Sequence, residues 1–463
     1  MCIPNVSGAF PALGKVVLSA EQAAALHAAR KWFHEQYPAK PVFRLFGYAG
    51  TGKSTVTAAL IERLEIPQGG VAYVAPTGKA AKVMTAKGCP AKTIHKQFYR
   101  LIATKEDHWA ALGREKADLL ARLRLFPDNS SAPRWAERVK VIEAELREPA
   151  PNDIQFRFVG LSNVGPETRI IVVDEASMLT DDNYADLVGV GLPVVLIGDP
   201  GQLPPVRAAS DGETTCAMAN PDVTLTQIQR QADGSSILDI AELARHGEYI
   251  AYGNDGRGIS VRDGTNAGKL HLALRKARLT MEDLAGYDQI ICGKNATRLA
   301  INELMREHYA ISSKYPTGAN GEKLIVVKNY ETSGEMIPNG SMIRVKSTGE
   351  KGNTRGPSGK IIDYKAKIVA IDDEPANIDV PIYKTPFEGD NGPDLESIRL
   401  EALWAKKALN VEWGWAITAH KAQGSQWDKV LVFDESKVFQ KDSCKWLYTA
   451  VTRAAKELTI IRI

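Results

Sequence analysis

The sequence predicts an α/β fold with two parallel-sheet domains, and three observations support this prediction. Short apolar runs of four or five residues recur without alternation, as in central strands of a parallel sheet that is covered on both faces. Helical patterns lie between these runs, for example over residues 21–37 and 54–64. The alternation of strand and helix occurs twice, with an interruption in each half, which indicates two α/β domains.

The apolar runs and the interruptions set the predicted domain boundaries. We expect a first domain over residues 1–225 and a second over residues 226–463. The first interruption, residues 101–167, is strongly charged with apolar residues at helical spacing, which predicts a mixed or helical inserted subdomain. The second, residues 315–405, has turns rich in Gly, Asn and Pro between short alternating runs, which predicts a small antiparallel β module. The predicted strands cover residues 42–46, 71–74, 170–173, 194–197, 289–292 and 429–433.

Composition and charge exclude several classes of protein. Of the 463 residues 44% are hydrophobic and 24% charged, which excludes disordered and collagen-like chains. The 58 Lys and Arg residues nearly balance 55 Asp and Glu residues, for a net charge of +3. A protein that binds nucleic acid through a basic tail would carry a larger excess, so any such site must be a local groove.

Cysteine usage and hydropathy predict a soluble intracellular protein. The five cysteines are scattered and form no CxxC pair, so neither a zinc site nor a disulfide framework is expected. The first residues lack the pattern of a signal peptide, and no apolar run approaches 18 residues, so no membrane contact is expected. We expect a cytoplasmic location, at the nucleoid or, if the gene is carried by a phage, in the host cytoplasm.

A glycine-rich run directly after the first predicted strand fits a phosphate-binding loop. Its letters, GYAGTGKS, match G-x-x-x-x-G-K-[ST] between a strand and a helix. Backbone N–H groups of such a loop surround phosphate oxygens, the lysine reaches the β- and γ-phosphates, and the serine hydroxyl binds Mg²⁺. The sequence therefore predicts ATP and Mg²⁺ as ligands, the alternative being a glycine-rich turn that caps a helix. The candidate residues are Gly47, Gly50, Thr51, Gly52, Lys53, Ser54 and Thr55.

Two acids follow the predicted strand 170–173. Because ligands of parallel sheets bind at the carboxyl ends of the strands, Asp174 and Glu175 are expected beside the glycine-rich loop. Asp174 can hold the Mg²⁺ shell, and Glu175 can orient or deprotonate a water that attacks the γ-phosphate. The alternative is a solvated acid pair at a strand end. The two motifs together predict hydrolysis of a nucleoside triphosphate.

Three further residues are candidates for sensing or stabilising the γ-phosphate. Gln202 lies in the rigid turn GDPGQLPP after another apolar strand, although Pro-Gly turns are common in loops. Arg230 and Arg453 are candidate arginine fingers, because negative charge spreads in the transition state of phosphoryl transfer. A single arginine is more often a surface ion-pair partner. Up to this point a kinase of small molecules fits as well.

The motifs taken in order resemble those of superfamily 1 helicases. The greatest likeness is to the RecD-like, 5′→3′ branch, which includes the compact Dda-type phage enzymes. The resemblance implies two RecA-like P-loop domains, each with an inserted accessory subdomain at the place where the chain has its interruptions. The motifs, in order, are GYAGTGKS, VAPTGKAA, KTIH, VVDEAS, GDPGQLPP, QRQ, AITAHKAQGSQWD and YTAVTRA.

The resemblance also assigns roles to residues that physics alone would leave unassigned. It places Gln22 at the position that reads adenine, and Gly424 in the segment that joins the strand-binding surface to the nucleotide cleft. Threonine, histidine and backbone N–H groups bind phosphates without reading bases, which suits a motor that is blind to sequence. The residues implied to contact DNA are Pro76, Thr77, Lys79, Thr93, His95, Asn295, Thr297, Thr418 and His420.

The implied function is that of an ATP-dependent DNA helicase. Such a chain translocates on single-stranded DNA, here 5′→3′, and couples hydrolysis to unwinding of a forked duplex, with residues 101–167 as the wedge. We expect a monomer, with a single-strand-binding protein or replication and recombination factors as further partners. Three alternatives stay open: a RecD-like translocase that does not unwind alone, an RNA helicase, and a binding module with a vestigial nucleotide site.

Overall fold

A computed structural model gives the fold of most of the chain. It describes residues 18–101, 156–158, 160, 164–205, 215–228, 236–265, 269–331, 336–351, 363–370, 377–383 and 408–463, with isolated positions between 116 and 143. Most of the predicted insertion 101–167 and the candidate arginine Arg230 lie outside the described residues.

A six-stranded parallel sheet forms the centre of the first half, in the order β3-β2-β6-β7-β1-β8. The four central strands β2, β6, β7 and β1 are mostly apolar and buried on both faces, which explains why their sequences show no alternation. The strands of this half are β1 (Val42–Gly47), β2 (Val71–Ala75), β3 (Ala91–Thr93), β4 (Tyr99–Leu101), β5 (Phe156–Phe158), β6 (Ile170–Val173), β7 (Val194–Gly198) and β8 (Val223–Leu225). The predicted strands of this half are confirmed.

Helices cover both faces of this sheet and contribute to two hydrophobic clusters. They are α1 (Ala20–Lys31), which continues as a π-helical turn over Trp32–Gln36, then α2 (Lys53–Arg63), α3 (Gly78–Ala86), α4 (Ile94–Phe98) and α5 (Asp181–Gly189). The chain leaves the sheet through β4 and returns through β5, and these two strands pair in antiparallel fashion. The two ends of the first insertion therefore meet as a two-stranded stem.

A second sheet repeats the strand order of the first. It runs β19-β11-β20-β21-β10-β9, parallel except for β9. Counted along the chain within each sheet, and with the edge strands β8 and β9 left out, the order is 3-2-4-5-1 in both. The strands are β9 (Gly253–Asn254), β10 (Ile259–Asp263), β11 (Gln289–Cys292), β19 (Ala416–Thr418), β20 (Trp427–Asp434) and β21 (Ala454–Arg462). The prediction of two parallel-sheet α/β domains is therefore confirmed.

The helices of the second half pack on both sides of this sheet. The last of them ends just before the final strand, so its carboxyl end lies at the amino-terminal edge of the sheet. They are α6 (Ser236–His246), α7 (Leu270–Lys276), α8 (Met281–Ala285), α9 (Asn295–His308), α10 (Ala419–Ala422) and α11 (Ser443–Val451).

The second insertion is an antiparallel β module, as its alternating runs predict. Its five-stranded sheet has the order β17-β16-β15-β12-β18 around its own apolar cluster. The strand β18 lies beyond residue 405, the predicted end of the insertion, because the chain pairs once more with β12 before it re-enters the second domain. The strands are β12 (Lys323–Val326), β13 (Tyr330–Glu331), β14 (Met336–Ile337), β15 (Met342–Lys351), β16 (Asp363–Ala370), β17 (Asn377–Tyr383) and β18 (Val411–Trp413).

Candidate functional site

The glycine-rich loop lies at the carboxyl end of β1 and opens α2, as its sequence predicts. Gly50 and Gly52 have φ angles of 77° and 80°, in the left-handed region that favours glycine. A side chain on Gly47 would lie 2.6 Å from Thr51 Oγ1, so the loop also needs a glycine there. The loop runs directly into a helix N-terminus, where backbone N–H groups and the helix dipole favour an anion.

Lys53 lies back over this loop. Its Nζ donates to the carbonyl oxygens of Gly47 and Tyr48 at 2.6 and 3.0 Å, and it lies 3.7 Å from Asp199 Oδ2. Asp199 follows β7, the strand next to β1, and is 2% exposed. The ammonium group therefore sits at the loop among oxygen acceptors, in reach of phosphates that would bind to the loop.

The acid pair follows β6 at the same edge of the sheet. Asp174 Oδ1 accepts a hydrogen bond from the Glu175 backbone N–H at 2.9 Å, and Glu175 has a φ of 55°. Burial raises the pKa of Glu175 to about 7, and the neighbouring Asp174 carboxylate adds to this, while Arg453 and Lys53 oppose it. A carboxyl group with a pKa near neutrality can accept a proton from a water at working pH.

The residues predicted to hold Mg²⁺ fit that role. The Ser54 hydroxyl lies in the first turn of α2 and accepts from Lys87 Nζ at 3.3 Å. Burial raises the pKa of Asp174, whereas the Lys53 and Lys87 ammonium groups lower it. No cluster of three or more His, Cys, Asp or Glu suited to a metal lies among the described residues. A hydroxyl with one carboxylate is the donor set that Mg²⁺ uses where phosphates and water complete its shell.

Gln202 is buried with an unsatisfied polar atom. Its side chain is 7% exposed, and its Oε1 has no hydrogen-bond partner among the described residues. Its backbone N–H donates to Asp199 O at 3.1 Å, which fixes the turn that carries it. Because a buried acceptor without a partner costs free energy, the side chain is suited to a donor from outside the chain, such as an attacking water.

Three side chains of the second domain bind the turn that carries Gln202. Tyr448 donates from its hydroxyl to Asp199 Oδ2 at 2.9 Å. The Leu203 backbone N–H donates to Thr449 Oγ1 at 2.9 Å, and Gln423 Nε2 donates to Leu203 O at 2.8 Å. Leu203 is 1% exposed and packs in the apolar cluster of the second domain. We call residues 199–203 with these three side chains the seam.

Arg453 lies at the seam. Of the two candidate arginine fingers it is the one within the described residues, since Arg230 lies outside them. Arg453 is 7% exposed, and its Nε, Nη1 and Nη2 donate to Thr449 O, Ser425 O and Thr452 Oγ1 at 3.0, 3.1 and 3.0 Å. Its charge contributes to the pKa of Glu175, so the second domain already brings a cation close to the acid pair.

Gln22 braces the glycine-rich loop. Its Nε2 donates to Thr51 O at 3.0 Å, and its Oε1 accepts from the Ser19 backbone N–H at 3.0 Å in a capping box at the start of α1. The side chain is 4% exposed. The structure therefore places Gln22 beside the loop, where the resemblance expects the adenine to be read, and gives its amide a structural task there.

The strand-contacting residues expected in the first domain lie at helix starts. Thr77 Oγ1 accepts from Ala80 N at the start of α3, next to Pro76, and Thr93 Oγ1 accepts from Lys96 N at the start of α4, each at 3.2 Å. The His95 ring stacks on Tyr99 with ring centres 4.9 Å apart, and burial lowers the pKa of His95. Two helix N-termini thus follow the neighbouring strands β2 and β3.

The expected contacts of the second domain are in part already engaged within the chain. Thr418 Oγ1 accepts from Lys421 N at 3.4 Å, and burial lowers the pKa of His420. Asn295 Oδ1 accepts from Arg298 Nε at 3.2 Å. The Thr297 hydroxyl donates to Glu435 Oε1 at 2.6 Å. The Glu435 carboxylate also accepts from the backbone N–H groups that begin α9, which the sequence did not predict.

The segment 77–80 forms a junction between both domains and the β module. A side chain on Gly424 would lie 3.5 Å from Thr77 Oγ1, and the Lys79 ammonium lies 5.0 Å from the centre of the Trp427 ring. A side chain on Gly78 would lie 2.4 Å from Pro338 Cβ of the β module. Residues expected to hold the strand therefore lie where three parts of the chain meet.

We expect Gly78→Ala to lower the free energy of unfolding by about 1–3 kcal/mol, because the new methyl group overlaps Pro338 and forces the β module away from α3. The midpoint of urea unfolding measures this effect. Gly189→Ala is the matched control, since nothing lies within 4 Å of a methyl group there. Equal midpoints for the two variants would contradict the contact.

Sequence reasoning missed two residues of this site. Asp199 and Tyr448 lie inside the quoted motifs GDPGQLPP and YTAVTRA, but no role followed from their types. Their positions bring Tyr448 against the first domain, where the Ala49 backbone N–H donates to its hydroxyl oxygen at 2.7 Å. The signal that could have identified Tyr448 is its position five residues before Arg453, in the helix that leads to that candidate arginine finger.

Comparison with known families gives two matches along the chain. Residues 17–258 match the AAA domain family, and residues 414–461 match the UvrD-like helicase C-terminal domain. Within the described residues, no helix has the length and apolar character needed to cross a bilayer.

Among curated proteins, the chain is 25% identical over 457 residues to an ATP-dependent RecD2 DNA helicase of Deinococcus radiodurans, covering 97% of this chain and 50% of the relative. It is 26% identical over 456 residues to the RecBCD enzyme subunit RecD of Mycobacterium tuberculosis, covering 90% of this chain and 66% of the relative. The chain thus spans about half to two thirds of the length of these relatives.

Among solved structures, a Pif1 helicase from Candida albicans aligns with a TM-score of 0.46 at 17% identity, over 96% of this chain and 94% of that one. A Bacteroides Pif1 bound to single-stranded DNA aligns with a TM-score of 0.47 at 16% identity, over 96% and 92% of the two chains.

Proposed function

This chain belongs to the AAA domain family, and on that premise we propose that it is an ATP-dependent motor that moves 5′→3′ on single-stranded DNA and separates duplexes. The observation that carries the proposal is the convergence of both domains on one cleft. Tyr448 of the second domain binds the glycine-rich loop at Ala49, and Arg453 lies close enough to Glu175 to alter its pKa. A nucleotide at the loop would therefore be bound from both sides.

The residues of the cleft divide the chemistry of hydrolysis among them. Lys53 and the loop N–H groups bind the β- and γ-phosphates, and Glu175 orients and deprotonates the attacking water, with Gln202 beside it. Ser54 and Asp174 would hold Mg²⁺, which would neutralise charge on the phosphates. Arg453 stabilises the transition state, and Arg230 is proposed for the same task. Closure of the second domain is then required for a fast reaction.

The grip on the strand depends on backbone donors. Helix starts at Thr77, Thr93 and Thr418 present N–H groups that suit phosphates and ignore bases. If the two domains hold the strand alternately as the cleft opens and closes, each hydrolysis event advances the chain along it. Opening a base pair costs on the order of 1–2 kcal/mol, so one ATP per step suffices.

Finer expectations accompany this proposal. We propose that the domains are residues 1–225 and 226–463, that residues 101–167 form the wedge, and that the protein works as a monomer on a forked duplex. Replication or recombination factors and a single-strand-binding protein would act with it in the cytoplasm or at the nucleoid.

Duplexes with a single-stranded tail on one end test the function. We expect ATP-dependent unwinding of the 5′-tailed duplex, little unwinding of the 3′-tailed one, and ATPase stimulation by single-stranded DNA above that by RNA of equal length. Stimulation without unwinding would identify a translocase that acts within a complex. Stronger stimulation by RNA would identify an RNA helicase, and the absence of any stimulation would refute the motor.

A further inference from the structure

The Tyr448 hydroxyl joins the glycine-rich loop to Asp199. The Ala49 backbone N–H donates to the hydroxyl oxygen at 2.7 Å, and the hydroxyl lies 2.9 Å from Asp199 Oδ2. A backbone N–H can only donate and a carboxylate can only accept, so the hydroxyl proton points to Asp199. A hydroxyl of the second domain therefore donates a hydrogen bond to a buried carboxylate of the first domain.

The Tyr448 ring is held tightly in this place. It is 1% exposed, and a side chain on Gly201 would lie 2.8 Å from its Cε1 atom. Burial and the nearby Asp199 carboxylate raise the pKa of Tyr448, so the hydroxyl keeps its proton. The glycine of the GDPGQ turn is therefore needed for the ring to reach Asp199.

The same Asp199 oxygen has one hydrogen-bond donor and one ion-pair partner. Oδ2 accepts from Tyr448 and lies 3.7 Å from Lys53 Nζ, whereas Oδ1 accepts from the Gly201 backbone N–H at 3.0 Å. A carboxylate that is 2% exposed needs donors for both oxygens. When Lys53 turns to phosphates, Tyr448 is the donor that remains on Oδ2.

We propose that Tyr448 is a positioning residue: its hydroxyl stabilises the buried Asp199 carboxylate, so that Lys53 can leave Asp199 and bind the phosphates of the nucleotide. The proposal rests on the proposed function, since it requires a nucleotide at Lys53. Tyr448 lies on α11, whose last turn also holds Arg453 through Thr449 O. When the nucleotide binds Lys53, the Tyr448–Asp199 contact therefore changes. The helix that makes this contact is the one that positions Arg453.

Binding of a fluorescent, non-hydrolysable ATP analogue with Mg²⁺ to the full chain tests this proposal. We expect Tyr448→Phe to weaken binding about tenfold, because Asp199 then depends on Lys53 for Oδ2 and competes with the phosphates. The control is Tyr287→Phe, which removes a hydrogen bond to Thr459 Oγ1 at 2.8 Å elsewhere in the second domain and should leave the affinity within about twofold.

Asp199→Asn separates positioning from a structural role. Loss of the negative charge frees Lys53, so this variant should bind the analogue at least as tightly as the wild-type protein. It should also cancel most of the loss when combined with Tyr448→Phe. A structural role for the hydrogen bond would instead weaken binding in both single variants.

Three results would overturn the proposal: wild-type affinity in Tyr448→Phe, equal losses in Tyr448→Phe and Tyr287→Phe, or additive losses in the double variant. A wild-type chain that does not bind the analogue at all would refute the proposed function instead, so the two failures are distinguishable.

Discussion

Lys53→Ala is expected to lower the rate of ATP hydrolysis stimulated by single-stranded DNA by roughly 10³-fold. The ammonium group lies at the glycine-rich loop among carbonyl and carboxylate oxygens, and it is the side-chain cation that the loop itself carries. Charge on the γ-phosphate increases towards the transition state, so loss of this cation removes stabilisation where the reaction needs it. Steady-state release of phosphate, with and without DNA, measures the effect.

Lys40→Ala is the matched control for this variant. Lys40 pairs with Asp222 near the opposite, amino-terminal end of β1, and its side chain is 44% exposed. We expect its rate to stay within about twofold of the wild-type rate, because an exposed ion pair contributes little. If Lys53→Ala hydrolysed ATP at the rate of this control, the assignment of the glycine-rich loop as the nucleotide site would be wrong.

Glu175→Gln is expected to slow hydrolysis by about 10²- to 10⁴-fold while nucleotide and DNA still bind. The amide keeps the shape of the side chain but cannot take a proton from water. Burial raises the pKa of Glu175 to about 7. Above that pH the carboxyl group is ionised while buried, which lowers the free energy of unfolding. The variant should therefore resist urea at least as well as the wild type at pH 8.

Single-turnover hydrolysis together with analogue binding checks this variant, with Glu62→Gln on the exposed face of α2 as its control. A fast single turnover in Glu175→Gln would assign the base to another residue. Loss of analogue binding would indicate damage to the cleft rather than loss of a base.

The sequence predicts the edge of the sheet where the site lies because local patterns determine it. The loop after β1 and the acids after β6 follow from apolar runs and glycine spacing, and parallel strands bring their carboxyl ends together. The motif order resembles that of superfamily 1 helicases, and within it residues 414–461 match the UvrD-like helicase C-terminal domain.

Contacts between distant residues could not be predicted in the same way. Thr297 is predicted from its motif as a strand contact, but its hydroxyl binds Glu435, which lies 138 positions later. The amide of Gln22 is similarly engaged by Ser19 and Thr51. The helix predicted over residues 21–37 in the first domain consists of α1 followed by a π-helical turn. The spacing of apolar residues does not reveal this change of helical period.

The repeated strand order gives the second domain an internal substitute for a ligand. In that order Asp434, the last residue of β20, and Glu435 after it correspond to the acid pair after β6. The Glu435 carboxylate accepts from the N–H groups of Gly293 and Lys294 at 2.8 and 2.7 Å, where an anion would otherwise bind at the start of α9. An anion could reach the start of α9 only by displacing this carboxylate, so the chain itself neutralises the end of the helix that begins after β11.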